Sequence, residues 1–396
     1  MTKKPDLIFW GLIASPYQLK MQALADFSGR SWQRWPDQAS FTQAIVASLR
    51  LRRGRRLHTI ERYPARIDGM DEYPEVPYYS LDGKRYYYDS TALARHLDAL
   101  GASRLPLIPA DPQLRFVCHL IDEAFDEFGL YMVHHNRWVT SAATNIMGEM
   151  TSREMRKLLP PGVRQRIARN VSERQTRRCP YLFSVAPMGY DAGLPAPRNP
   201  PSRVGFPPTH DMLDTAWRRY LAAMEQLLET QPYLLGEHFT LADASAYGQL
   251  SMNLVDGKAA ELLEELAPRT FQWLCSIRDG AHRGGHGKLQ LSERLAPLMD
   301  IIGETFLPLM QQNAAAYREA HTRGQTLFNE AAFDRGEALY DGELLGKPFR
   351  SVAKSFQVVV WQELCDAWYA LPPEDRDQLQ SRYPGLADTD FAAPMA

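Results

Sequence analysis

The feature that most constrains this chain is a short apolar strand that breaks at once into a helix headed by Ser-Pro. It is read in Phe9-Trp10-Gly11-Leu12-Ile13-Ala14-Ser15-Pro16-Tyr17-Gln18-Leu19-Lys20. Proline at a first helical position brings a preset φ and has no N–H to satisfy there, and serine is a favoured N-cap. The strand is expected over Asp6–Trp10 and the helix from Ser15 to about Phe27, with Leu19, Ala23, Leu24 and Phe27 at helical spacing. The Ser15 hydroxyl is thereby set at the positive end of a helix, beside backbone N–H groups. An anion such as a thiolate is stabilised in that position. The plainer role for Ser15 is an ordinary helix cap.

A chain of 396 residues is too long for one small core and points to two domains. Its formal net charge is −2, from 45 basic and 47 acidic residues, so no global field favours nucleic acid or membrane as a partner. The N-terminus has no long apolar run of a secretory signal, and no stretch is apolar over the eighteen or so residues that a membrane span needs. The cysteines Cys118, Cys179, Cys275 and Cys365 are scattered and contain no C-x-x-C. A reducing cytoplasm is the expected compartment.

The first hundred residues alternate strand and helix. Trp32–Trp35 reads as a second strand, and Phe41–Tyr63, rich in arginine, has no clear assignment. A hairpin follows: Val76–Leu81, the turn Asp82-Gly83, then Lys84–Tyr88, because Asp-Gly between β-rich runs favours a tight reversal. Asp89-Ser90 caps a helix through Leu100. Beyond Pro106 the pattern turns helical, with one long helix from Pro112 to about Val139. A stretch at about 155–208, basic early and proline-rich late, reads as an insertion that is partly helical and then extended. Helical periodicity resumes at Met212 and continues to about Leu371.

Four pieces thus stand in a fixed order: a strand into Ser15-Pro16, Glu75-Val76-Pro77 before a hairpin, Asp89-Ser90 opening the next helix, and Tyr233-Leu234-Leu235-Gly236-Glu237-His238-Phe239-Thr240-Leu241-Ala242-Asp243. Thr240 and Asp243 have the reciprocal spacing of a capping box. Together these pieces resemble the soluble glutathione S-transferase superfamily, over roughly residues 6–30, 73–139 and 212–279. Ser-Pro-Tyr is most similar to the Ser-Pro-Phe of the plant tau class.

The resemblance implies an α+β thioredoxin-like N-terminal domain, a mixed sheet with flanking helices, over residues 1–103. It implies an all-helical C-terminal domain over 104–396, here with the insertion at about 155–208 and a helical extension from about 280. Ser15 would be the catalytic hydroxyl that activates glutathione. Val76 and a cis Pro77 would pair with its cysteinyl part, and Asp89 and Ser90 would grip its γ-glutamyl end. A helix N-terminus and hydroxyl suit that carboxylate, and a second carboxylate suits the ammonium. Tyr17, Tyr131, His135 and Trp138 are the candidates for the hydrophobic acceptor pocket, Tyr17 being also the next hydroxyl after Ser15. His134 and His135 point roughly a hundred degrees apart on a helix, which makes a poor metal site, and no metal is expected.

The function implied is a cytoplasmic glutathione-dependent transferase acting on a hydrophobic electrophile, as a homodimer. Serine cannot form a mixed disulfide, so thiolate substitution is favoured over thiol–disulfide exchange. Two alternatives stand beside it: a non-catalytic binding or scaffold protein of the same fold, and a glutathione-dependent isomerase or lyase. Cys179-Pro180-Tyr181 imitates a cysteine-type motif but follows no strand. The cluster Arg50, Arg52, Arg53, Arg55 and Arg56 reads as a solvated basic face, with phosphate or nucleic acid as the sharper alternative.

Overall fold

The run Leu-Ile-Phe-Trp forms strand β1 (Leu7–Trp10), buried along its whole length. It pairs in parallel with β2 (Trp32–Trp35), Leu7 opposite Trp32, and antiparallel with β4 (Tyr78–Ser80), Phe9 opposite Tyr79. The outer strands are β5 (Tyr87–Tyr88), antiparallel to β4, and β3 (Glu61–Arg62), parallel to β5, giving a mixed sheet of order β2-β1-β4-β5-β3. Because strand side chains alternate, Leu7 and Phe9 enter one core and Ile8 and Trp10 another. Helices α1 (Pro16–Phe27) and α3 (Ser90–Ala99) share the first core, and α2 (Phe41–Arg56) shares the second. The computed structural model describes residues 4–62, 76–101, 105–160, 162–283, 286–387 and 389–391. Glu75, the first residue of the Glu-Val-Pro piece, lies outside them.

The unassigned arginine segment is helix α2. Ser40 and Gln43 form a capping box at its start, and only the narrow strip Ala44, Ala47, Leu51 and Gly54 is buried. Arg52, Arg53 and Arg56 are exposed, and Arg50 donates to the Gly83 carbonyl at 2.7 Å. The basic residues of its last turn oppose the negative end of the helix dipole.

The expected long helix over 112–139 is a run of four pieces. Helix α4 (Pro112–Glu123) passes through a π-turn (Ala124–Gly129) into α5 (Leu130–His135), and a second π-turn (Asn136–Thr140) ends it. After α6 (Met147–Glu154) and α7 (Arg164–Arg177) the backbone is irregular to Thr209 apart from one short turn of helix. The regular helices are α8 (His210–Leu227), α9 (Leu241–Leu250), α10 (Gly257–Leu266), α11 (Pro268–Arg278), α12 (Ala296–Glu304), α13 (Phe306–Thr322) and α14 (Glu330–Arg335).

One correction falls on the all-helical C-terminal half. Strands β6 (Leu339–Leu344) and β7 (Lys347–Val352) form a hairpin before α15 (Ser355–Tyr369) and α16 (Pro373–Arg382). Its two-residue turn, Leu345-Gly346, has φ of +53° and +68°, the primed geometry that matches strand twist. Leucine at the first of these positions hides the turn, since Asn or Asp is the usual signal.

The sheet and the helices share one continuous core, from Leu7 to Phe391. Helix α1 packs directly on α9 at Gly248, where an added Cβ would lie 2.8 Å from both the Pro16 carbonyl oxygen and Lys20 Cβ. Gly248→Ala is therefore expected to lose about 1–3 kcal/mol of stability, the usual cost of overpacking. A chemical-denaturation midpoint measures it, and an unchanged midpoint contradicts this packing.

Candidate functional site

A cavity of about 690 Å³ opens between the sheet domain and the helices. Ser15, Tyr17, Val76, Pro77, Asp89 and Ser90 line one end, and Tyr131, His134, Trp138, Phe356 and Gln357 are on the helical wall. Eight of the nine residues singled out from the sequence thus border one space, although they come from four separate segments of chain.

Ser15 is the N-cap residue of α1 with extended backbone (φ −94°, ψ 123°), and Pro16 follows at the first helical position. Its hydroxyl makes no cap hydrogen bond. The amides of Gln18 and Leu19 turn instead to the Ser15 carbonyl, at 3.1 and 3.3 Å. The usual capping task is thus not performed by this side chain. Tyr17 is engaged: its phenol donates to the Asp126 carbonyl at 2.8 Å. Burial, then the Glu127 and Asp126 carboxylates, pushes that phenol well above its ordinary value.

The loop before Ser15 is fastened from two sides. The Ile13 amide donates to Glu154 at 3.1 Å, and Arg34 holds the same carboxylate at 2.7 Å. Arg137 donates to the Ala14 carbonyl at 2.9 Å, and its Nε to both oxygens of buried Asp256 at 3.0 and 2.7 Å. Its other terminal nitrogen donates to the Met252 carbonyl. A fully buried guanidinium with four acceptors is thus what positions the residue next to Ser15.

The Val76–Pro77 peptide bond is cis, as is Trp35–Pro36. Asp89 caps α3 through a carboxylate that accepts from the Ala92 amide at 2.7 Å. Its φ is +82°, a conformation that costs a non-glycine residue energy and is retained here at the cavity wall. Ser90, buried, is the first residue of α3.

Beneath the cavity wall lies a cluster invisible to local sequence reading. Buried Lys20 of α1 holds Asp122 at 2.5 Å, Asp126 at 2.7 Å and Thr91 at 3.0 Å. Thr91 donates to Asp122 at 2.9 Å, and Ser245 of α9 donates to it as well. Asp122 is thus surrounded by donors, whereas one Asp126 oxygen has no partner among the described residues. One ammonium cannot neutralise two buried carboxylates, and the poorly bonded one retains its proton. Burial, opposed by Lys20 and assisted by Asp122 and Glu123, pushes Asp126 up to about 8. The Lys20 ammonium is itself held charged, the pull of Asp122 and Asp126 outweighing burial.

His135 is the residue that does not reach the cavity. Its Nδ1 is 2.8 Å from the Ser184 hydroxyl and its ring abuts His210, with centroids 4.8 Å apart. Adjacent helical residues diverge by roughly a hundred degrees, so when one histidine of the pair faces the cavity the other cannot. His134 is the one that faces it. Burial and the Arg178 charge push its imidazole down to about 3, so it is neutral. Cys179 is buried beside Trp138 and Met147, its thiol raised by burial, and it is no nucleophile. Among the described residues no group of His, Cys, Asp and Glu is placed to hold a metal ion. No helix among them is long and apolar enough to cross a membrane.

Helix α9 starts from the expected capping box. The Asp243 carboxylate accepts from the Thr240 amide and hydroxyl, both at 2.8 Å, and its second oxygen from the Leu234 amide at 2.8 Å. Residues 207–274, which contain this box, match the family model "Glutathione S-transferase, C-terminal domain". That match places a domain of this family at residues 207–274. Among solved structures, it is similar to a glutathione transferase from Phanerochaete chrysosporium at 14% identity and TM-score 0.42, over 70% of this chain and 97% of that one. A glutathione S-transferase from Ceriporiopsis subvermispora, solved in complex with glutathione, gives 16% and 0.38 over 69% and 97%. The beta-etherase LigF from Sphingobium sp. gives 18% and 0.37 over 70% and 98%. No curated protein matches the chain. The matched domain packs its α9 against α1, so the residue ahead of α1, Ser15, is set by the contact between that domain and the sheet domain.

Proposed function

We propose that this chain is a glutathione-dependent transferase that activates the glutathione thiol for attack on a hydrophobic electrophile. The observation that carries the reading is the Ser15 hydroxyl: at a helix N-terminus, relieved of capping, on a cavity shared with Asp89 and Ser90. A free thiol has a pKa of about 8.5 and is only a few per cent ionised at neutral pH. A hydroxyl donating to sulfur, added to the helix dipole, lowers that value by about one to two units and raises the thiolate population some tenfold or more.

In this reading Val76 offers extended backbone beside Pro77 to the cysteinyl part, and Ser90 offers a hydroxyl and helix N-terminus to the γ-glutamyl carboxylate. Asp89 supplies a carboxylate for the ammonium. Trp138 and Tyr131 line the acceptor end, with Tyr17 fixing the wall between. Asp89→Ala and Ser90→Ala are each expected to weaken glutathione binding about tenfold or more, the worth of one charge-assisted hydrogen bond. Calorimetric titration measures this. Folded wild-type protein that shows no heat at millimolar glutathione overturns the reading.

A further inference from the structure

The residues from Gln38 to Ile60 include five arginines and not one aspartate or glutamate. Helix α2 takes up most of that stretch, with its strip of Ala44, Ala47, Leu51 and Gly54 turned inward. At roughly a hundred degrees per residue, Val46, Leu49, Arg52, Arg53 and Arg56 fall on the opposite half of the helix. A helix that buries one strip ordinarily carries a polar outer half. Here Phe41, Val46, Leu49 and Leu57 are 64%, 38%, 59% and 49% exposed. Leu81, also exposed, stands two residues before Gly83, whose carbonyl Arg50 of α2 holds at 2.7 Å. Of the twelve large apolar side chains exposed among the described residues, five therefore belong to α2, its C-cap and the adjoining turn.

The charge on this face has one sign. Arg52, Arg53, Arg55 and Arg56 form no ion pair among the described residues. Asp37, the acid ahead of α2, is held by Arg34 and Arg156. Asp82, at the turn, accepts from the Ser80 hydroxyl and from the amides of Lys84 and Arg85, both exposed cations themselves. The net charge of −2 for the whole chain thus conceals a concentration of cations at one place. Guanidinium groups so placed pair well with phosphate, and the apolar side chains between them gain by leaving water. A second copy of the same face would set arginine against arginine. A nucleic acid duplex would supply phosphate but no apolar surface along its backbone. The surface of a bilayer with anionic headgroups supplies both within roughly 10 Å of depth.

We propose that the outer face of α2 docks this chain on an anionic phospholipid bilayer. The helix axis lies along the membrane surface. Phe41, Val46 and Leu49 enter the boundary between headgroups and acyl chains, and Arg52, Arg53 and Arg56 hold lipid phosphates. Long arginine stems keep their charged ends at the phosphate level while packing beside those apolar side chains. The attachment is peripheral and reversible, through one face of one helix. It does not depend on the transferase reading, because no residue of α2 lines the cavity.

Co-sedimentation of the full chain with vesicles tests the proposal. Wild-type protein is expected to partition onto vesicles of equal parts phosphatidylglycerol and phosphatidylcholine at least tenfold more strongly than onto phosphatidylcholine alone. The triple variant Arg52→Gln, Arg53→Gln, Arg56→Gln should weaken that partition about a hundredfold, each arginine at an anionic surface being worth about fivefold. Phe41→Gln and Leu49→Gln should each weaken it about tenfold, the share of an apolar side chain taken out of water. Urea midpoints of all three variants should stay near that of the wild type, because the changed side chains are exposed. No partition of the wild type, or equal partition onto both kinds of vesicle, overturns the proposal. So does a loss caused by the arginine changes and not by the apolar ones, which is charge attraction without docking. Tighter wild-type binding to a DNA duplex at equal phosphate concentration overturns it too, and makes nucleic acid the occupant. The wild-type arms decide whether or not a variant folds.

Discussion

Lys20→Met is expected to lower stability by about 3–5 kcal/mol, the usual cost of removing one partner from a buried ion pair. The loss comes from what is left behind. Asp122 and Asp126 would remain buried with no cation, and the Thr91 and Ser245 hydroxyls supply only neutral donors. The loss is also expected to depend on pH. Without Lys20, both carboxyl groups have folded-state values above their unfolded ones, so each binds more protons folded than unfolded. Stability from such groups is present below the unfolded value near 4 and is lost as pH rises through the folded value. In the wild type Asp126, at about 8, already behaves in this way. The gap in stability between wild type and variant is thus expected to widen from about pH 5 to pH 8. Urea denaturation at pH 5 and pH 8 measures it. A variant as stable as the wild type at pH 8 contradicts the buried cluster as the joint between α1, α4 and α9.

Ser15→Ala is expected to reduce glutathione turnover tenfold to a hundredfold with a generic aromatic electrophile, corresponding to about 1.4–2.7 kcal/mol of lost transition-state stabilisation. Fold stability should change little, because the hydroxyl makes no cap bond that the alanine would lose. Glutathione affinity should likewise hold, since Val76, Asp89 and Ser90 are untouched. Ser15→Cys should turn the protein toward thiol–disulfide exchange, because a sulfur at the same helix N-terminus can form a mixed disulfide. An unchanged turnover in Ser15→Ala moves the role elsewhere. Tyr17 would be a poor successor, its proton being committed to the Asp126 carbonyl.

The parts of this site legible in the sequence are those written in consecutive residues. Ser15-Pro16, Asp82-Gly83 and Thr240–Asp243 each carry their own backbone geometry, because caps and tight turns are decided within four residues. Helix α2 was locally written too, in the Ser40–Gln43 capping box, but its buried strip of two alanines, a leucine and a glycine is too slight for periodicity to expose. The β6–β7 hairpin escaped for the opposite reason, a correct geometry with an unusual leucine at the turn. Which of His134 and His135 faces the cavity depends on π-turns that shift the helix phase, and periodicity assumes an unbroken phase.

What the sequence did not disclose are contacts across long separations. Lys20 meets Asp122 over 102 residues, and Lys354 meets Tyr131 over 223. A lone lysine in an amphipathic helix reads as solvent-facing, and only the packing of α1 on α4 and α9 reveals one that is 0% exposed. Arg137 is similar: three residues into a histidine-rich helix end, it proves to be the anchor of the Ser15 loop.

The central claim is that the cavity holds a glutathione thiol against the Ser15 hydroxyl. The most direct test is the ultraviolet absorbance of the bound thiolate, titrated against pH in wild type and in Ser15→Ala. The wild-type complex is expected to ionise about one to two units below the free thiol value of about 8.5, and the variant to return toward that value while still binding. Identical titrations in the two proteins would contradict the claim and leave Ser15 as no more than the residue that begins α1.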